Sequence, residues 1–225
     1  MIRYALLAAP LLLTACSGEP EPVETPSPSA TAVGPRTLVS AGFNDQELGP
    51  RIVGPQGDEV RDTIAFEGMP VAELISYVAC PAAGEGEEPL TECKPDAMPE
   101  GTLYTYVHRL ISTGADKEAQ PFLLRITKPA NGFANVIGFD RAQAEMTLGE
   151  GYSIATHSDA GRLEWRIEAG DGFDKGEELT LFWQSTLPPA GPAKVYEIES
   201  NTGTAPMNGP FPPEENSSEN EGPGN

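Results

Sequence analysis

Between residues 162 and 169 the side chains alternate without a break. Leu163, Trp165, Ile167 and Ala169 fall on one side, and Arg162, Glu164, Arg166 and Glu168 on the other. A strand projects successive side chains to opposite faces, so this stretch buries its apolar set only as a strand with one face towards water. The same period of two runs through 102–111 and 121–128, and less cleanly through 60–67, 133–139, 151–156, 179–185 and 193–199. Segments 37–43 and 71–79 also read as strands, although Pro70 followed by Val71–Val78 is compatible with a short helix. Residues Asp140–Glu145 read as one or two helical turns. With 24 Gly and 23 Pro among 225 residues, the strands are short and closely punctuated. That pattern predicts an all-β fold, an antiparallel β-sandwich with Gly/Pro-rich turns, over residues 37–200. No internal repeat is found.

The ends of the chain are composed differently. Residues 16–36 hold Pro20, Pro22, Pro26, Pro28 and Pro35 with Glu19, Glu21 and Glu24, the composition of a semi-extended tether. Residues 201–225 hold five Pro, four Gly, four Glu and one aromatic, Phe211, and read as a disordered acidic tail. Charge bounds the function. The chain carries 14 Lys+Arg against 34 Asp+Glu, net -20, which opposes capture of nucleic acid and argues against a basic membrane-surface helix.

Residues 1–15 combine Arg3, a short apolar run from Tyr4 to Leu13 and two small residues before Cys16. The run is too short to span a bilayer and suits a signal segment. Leu13-Thr14-Ala15-Cys16 resembles the lipobox of bacterial lipoproteins. The resemblance implies cleavage between Ala15 and Cys16, a diacylglyceryl group on the Cys16 thiol and acylation of the freed amine, for example by palmitate. Two or three acyl chains hold a protein on a membrane without a spanning helix. Ser17 stands where an Asp would resemble an inner-membrane retention signal, which favours the outer membrane of the cell envelope. With Cys16 lipidated, Cys80 and Cys93 remain as the pair for a disulfide closing the polar loop 81–92 in an oxidising compartment. By the chain-entropy model such a bridge contributes about 3 kcal/mol.

No motif calls for a cofactor, and candidate sites are sparse. His157-Ser158-Asp159 are adjacent in sequence, yet neighbours on a strand point to opposite faces and do not assemble a triad. Gly151-Tyr152-Ser153-Ile154-Ala155 misses a nucleophile elbow at its last position. His108 and His157, the only histidines, are read as dispensable for folding. Carboxylate pairs for glycoside hydrolysis carry no information among 34 acids. In loop 171–178, Asp171, Asp174 and Glu177 offer oxygens for a calcium ion, but Phe173 and Lys175 break the spacing of an EF-hand, and an ordinary turn is the favoured reading. Tyr104 and Tyr106, on one face of a strand with His108, and Trp183 are candidates for an exposed aromatic strip that contacts a ligand. The expected function is a membrane-anchored envelope lipoprotein that binds a protein or glycan partner or organises the envelope without catalysis. The alternative is a hydrolase, which a cluster of a histidine with acids would favour.

Overall fold

The computed structural model describes residues 35–55, 57–114 and 120–214. The Leu13–Cys16 motif and most of the tether lie outside the described residues, as does the tail beyond Glu214. Thirteen strands run in the order β1 (Arg36–Leu38), β2 (Ala41–Gly42), β3 (Leu48–Arg51), β4 (Val60–Phe66), β5 (Met69–Pro81), β6 (Tyr104–Ser112), β7 (Leu123–Ile126), β8 (Phe133–Phe139), β9 (Ser153–Asp159), β10 (Arg162–Ala169), β11 (Glu178–Ser185), β12 (Gly191–Ser200) and β13 (Gly203–Phe211). Helix α1 (Arg141–Leu148) sits between β8 and β9, with the Asp140 carboxylate capping its first turn by accepting from the Gln143 N–H at 3.0 Å.

The strands form a sandwich of two sheets. One has the order β1-β9-β10-β7-β12-β13; the other has the order β2-β8-β11-β6-β5-β3, with β4 also paired to β5. All pairings are antiparallel except β2 with β8. The alternation in 162–169 holds as far as Ile167, after which the register shifts and Ala169 is exposed. Leu163 and Trp165 are buried between the sheets, and the Trp165 indole N–H donates to the Gly138 carbonyl of the facing sheet at 2.9 Å. The β9–β10 hairpin turns on Ala160 and Gly161, both at positive φ (48° and 79°), the backbone of a tight two-residue turn whose twist matches its strands.

Two expectations need correction, and one alternative is settled. Segment 37–43 is not one strand. Arg36–Leu38 belongs to the six-stranded sheet and Ala41–Gly42 to the other, so the chain crosses the sandwich at residues 39–40 and then enters a 3-10 turn at Phe43–Asp45. The strand reading of 71–79 holds over the helical alternative, because β5 is paired on both sides, with β6 and with β4. The folded domain also does not end at residue 200, and 201–225 is not disordered throughout. Gly203–Phe211 is an edge strand on β12, burying Ala205, Met207 and Phe211 in the core while Thr204, Pro206 and Asn208 face outwards. Pro206 and Pro210 are tolerated because an edge strand needs only half of its backbone N–H groups.

The seven-stranded sheet is covered on both faces. Its inner face supplies Val78, Tyr106, Leu181 and Trp183 to the main core. Its outer face carries a second apolar cluster of Tyr77, Ala79, Val107 and Phe182, packed beneath Ala41, Phe43 and Leu48. The Arg51 guanidinium lies 3.8 Å over the Tyr77 ring. Cys80 and Cys93 form a disulfide with Cα atoms 6.0 Å apart, tying the end of β5 to the following loop.

Candidate functional site

The aromatic candidates are core residues. Tyr104, Tyr106 and Trp183 are all buried, and Tyr106 stacks on Trp183 with ring centroids 4.4 Å apart. The Tyr106 hydroxyl donates to the Leu187 carbonyl, and burial pushes its phenol well above the ordinary tyrosine range. None of the three reaches solvent as a ligand platform. The strand was read correctly; its face was not, because β6 projects Tyr104, Tyr106 and His108 into the sandwich.

His108 is enclosed with them. Its Nδ1 lies 2.9 Å from the Ser76 hydroxyl, and its ring lies 4.5 Å from Tyr196 and 6.3 Å from Trp165, centroid to centroid. Nε2 has no partner. Burial alone draws its pKa from 6.5 down to about 3, so His108 is neutral at physiological pH. No carboxylate lies within 4.0 Å of it among the described residues. The expectation that both histidines are dispensable for folding therefore fails here: His108 fills core volume.

His157 has a different setting. Strand register sets Thr37, His157, Glu164, Arg125 and Glu197 side by side across five strands on the outer face of the six-stranded sheet. Residues directly opposite on antiparallel strands share a face and touch. The row borders a groove of about 510 Å³ lined by Pro35, Arg125, His157, Asp159, Arg162 and Glu164, among others. Thr37 Oγ1 lies 3.3 Å from His157 Nδ1. The charges are largely consumed among themselves: Arg125 pairs with Glu197 and Glu199, Arg162 with Asp159 at 3.0 Å, and Arg166 with Glu164 at 3.1 Å. Among the described residues no carboxylate reaches within 4.0 Å of His157, so the base lacks the orienting contact of a nucleophile triad. The arrangement can bind polar groups through exposed arginines and carboxylates. Sequence reading missed it, since the five residues are scattered over 160 positions and only pairing register joins them.

The calcium candidates are not brought together. Asp174 and Glu177 close their own turn, the Glu177 carboxylate accepting from the Asp174 N–H at 2.6 Å, and Phe173 is buried beneath it. Asp171 sits beside Gly149 at the end of α1. Among the described residues no three His, Cys, Asp or Glu side chains converge on one cation position. No helix among them is long and apolar enough to cross a membrane. Comparison with family models, with curated proteins and with solved structures finds no match for this chain.

Proposed function

We propose that this protein is a lipid-anchored lipoprotein of the bacterial cell envelope, on the outer membrane, whose β-sandwich is a binding or envelope-organising module. The observation that carries the reading is the division of its three cysteines. Cys80 and Cys93 are bridged inside the domain, which fits an oxidising compartment, and Cys16 stands alone after a short apolar run and two small residues. Residues 16–36 have the Pro- and Glu-rich composition of a tether between such an anchor and the domain. The acidic surface, net -20 over the chain, directs it towards cationic or neutral partners. Metabolic labelling with an alkyne-bearing palmitate tests the anchor. Wild type should take the label and Cys16→Ser should remain unlabelled and unprocessed; equal label in both overturns the assignment.

A second reading, hydrolysis, is supported by the Thr37–His157–Glu164 row, where a histidine meets a hydroxyl and an acid holds the opposite register position on β10. Screening the purified chain against esterase, peptidase and glycosidase substrates decides between the two. Turnover that disappears in His157→Ala, with unchanged thermal unfolding, replaces binding by catalysis.

A further inference from the structure

A second groove lies at the disulfide end of the sandwich, away from the His157 row. Its volume is about 610 Å³, within the range of a built ligand site. Three segments wall it: residues 52–55 after β3, residues 92–97 after the disulfide loop, and Pro188–Pro189 in the crossing from β11 to β12. The walls are fixed before anything binds. Cys93 is bonded to Cys80, Ile52 and Cys93 form a backbone bridge, and the Ile52 N–H donates to the Val78 carbonyl at 2.8 Å. Four prolines, Pro55, Pro95, Pro188 and Pro189, line it and cannot rearrange cheaply. A preformed groove carries little ordering cost on binding.

Its chemistry is apolar below and acidic at the rim. Val53 is 68 % exposed, a β-branched apolar side chain left in water at the wall. Glu92 and Asp96 line the same groove, and the loop 82–103 that contains them also carries Glu85, Glu87, Glu88 and Glu100. Lys94 is the single cation of that loop and is taken up by Glu92 at 2.7 Å. Among the described residues no cation lies within 4.0 Å of Asp96, Glu85, Glu88 or Glu100. The four prolines offer no N–H groups, so a partner cannot extend a sheet along them, and recognition runs through side chains.

We infer that this groove docks a segment of a partner protein that sets an apolar side chain against Val53 and the prolines and lysine or arginine side chains against Glu92 and Asp96. The inference rests on the binding reading and names the partner chemistry that the reading leaves open. Charge complementarity also speeds encounter, because the whole chain attracts cations towards the rim.

The test uses the full chain in a non-ionic detergent and a fluorescent octapeptide alternating lysine with valine, with a glutamate–valine counterpart as control. Anisotropy should show binding of the lysine peptide alone. Val53→Lys and the double variant Glu92→Gln/Asp96→Asn should each weaken it at least tenfold. Both alter exposed side chains, so thermal unfolding should match wild type. Hydrogen exchange should slow at 52–54 and 92–97 when the peptide is added. Equal binding of the glutamate peptide overturns the inference, as do variant affinities within twofold of wild type. Slowed exchange on the outer face of the six-stranded sheet moves docking to the His157 groove. That outcome sinks this groove and leaves the binding reading in place, whereas the loss of palmitate label from wild type would sink the envelope assignment independently.

Discussion

His108 shows what a single buried residue does to this molecule. Its imidazole is neutral in the folded state down to about pH 3, while an unfolded chain takes up the proton near 6.5. Stability from this group is therefore complete above about pH 6.5 and is lost as pH falls towards 3, at about 1.4 kcal/mol per pH unit. For a domain of this size that corresponds to roughly 3–5 °C in Tm per unit. His108→Gln, which keeps a polar partner for Ser76, should flatten the profile between pH 6.5 and 4.5. Thermal unfolding of both proteins across that range checks it; parallel profiles would show that His108 is not the source. Glu178 acts in a lower window. The Arg109 guanidinium, hydrogen-bonded to it at 2.9 and 2.5 Å, holds its carboxyl below 4.5, so its contribution stands above that value and is lost beneath it. Trp165 is the other decisive residue, since it fills the interior and bonds across to Gly138. Trp165→Ala should cost about 3–5 kcal/mol, readable as a lower urea midpoint.

The elements at the margins of the sandwich close it. β13 covers β12 and buries Met207 and Phe211, and the Asp62 carboxylate of β4 accepts from the Asn208 backbone and side-chain N–H groups, both at 2.9 Å. A chain ending at Ser200 should lose those contacts, expose the β12 edge and aggregate. A chain ending at Glu214 keeps all of them and should unfold at the temperature of the full chain. Light scattering and calorimetry separate the two. β2 is a second closing element. A Cβ added at Gly138 would lie 2.1 Å from the Ala41 carbonyl oxygen, so the close approach of β2 to β8 requires glycine there. Gly138→Ala should push residues 41–43 off the second apolar cluster and raise hydrogen exchange in that segment.

For the molecule as a whole, the disulfide joins stability to compartment. Opening it frees a loop that no core supports, because residues 85–92 are exposed throughout. Replacing both Cys80 and Cys93 by serine should cost about 3 kcal/mol. Denaturation with and without reductant should reproduce the same difference in wild type and none in the variant. The loop carries Glu92 and frames the acidic groove, so the variant should also bind the lysine peptide more weakly.

Much of the architecture was written in the pattern of residues 102–111, 121–128 and 162–169, where alternation marks a strand directly. Residues Asp140–Glu145 read as one or two helical turns, and the helix runs on to Leu148. The pairing of Cys80 with Cys93 followed once the lipobox resemblance set Cys16 aside. The tail misled because Pro and Gly composition hid the alternation of Ala205, Met207 and Phe211, whose burial depends on β12 lying alongside. Tyr104, Tyr106 and Trp183 misled for another reason. Their sheet is covered on both faces, so period two marks a strand without marking its inner side. Local sequence determines which residues become strands, since side-chain alternation is a property of a single segment. Tertiary structure alone decides which face meets a second sheet. It sets His157 beside Glu164 and Arg125 and closes residues 52–55, 92–97 and 188–189 around one groove, because each of those contacts joins segments remote in the chain.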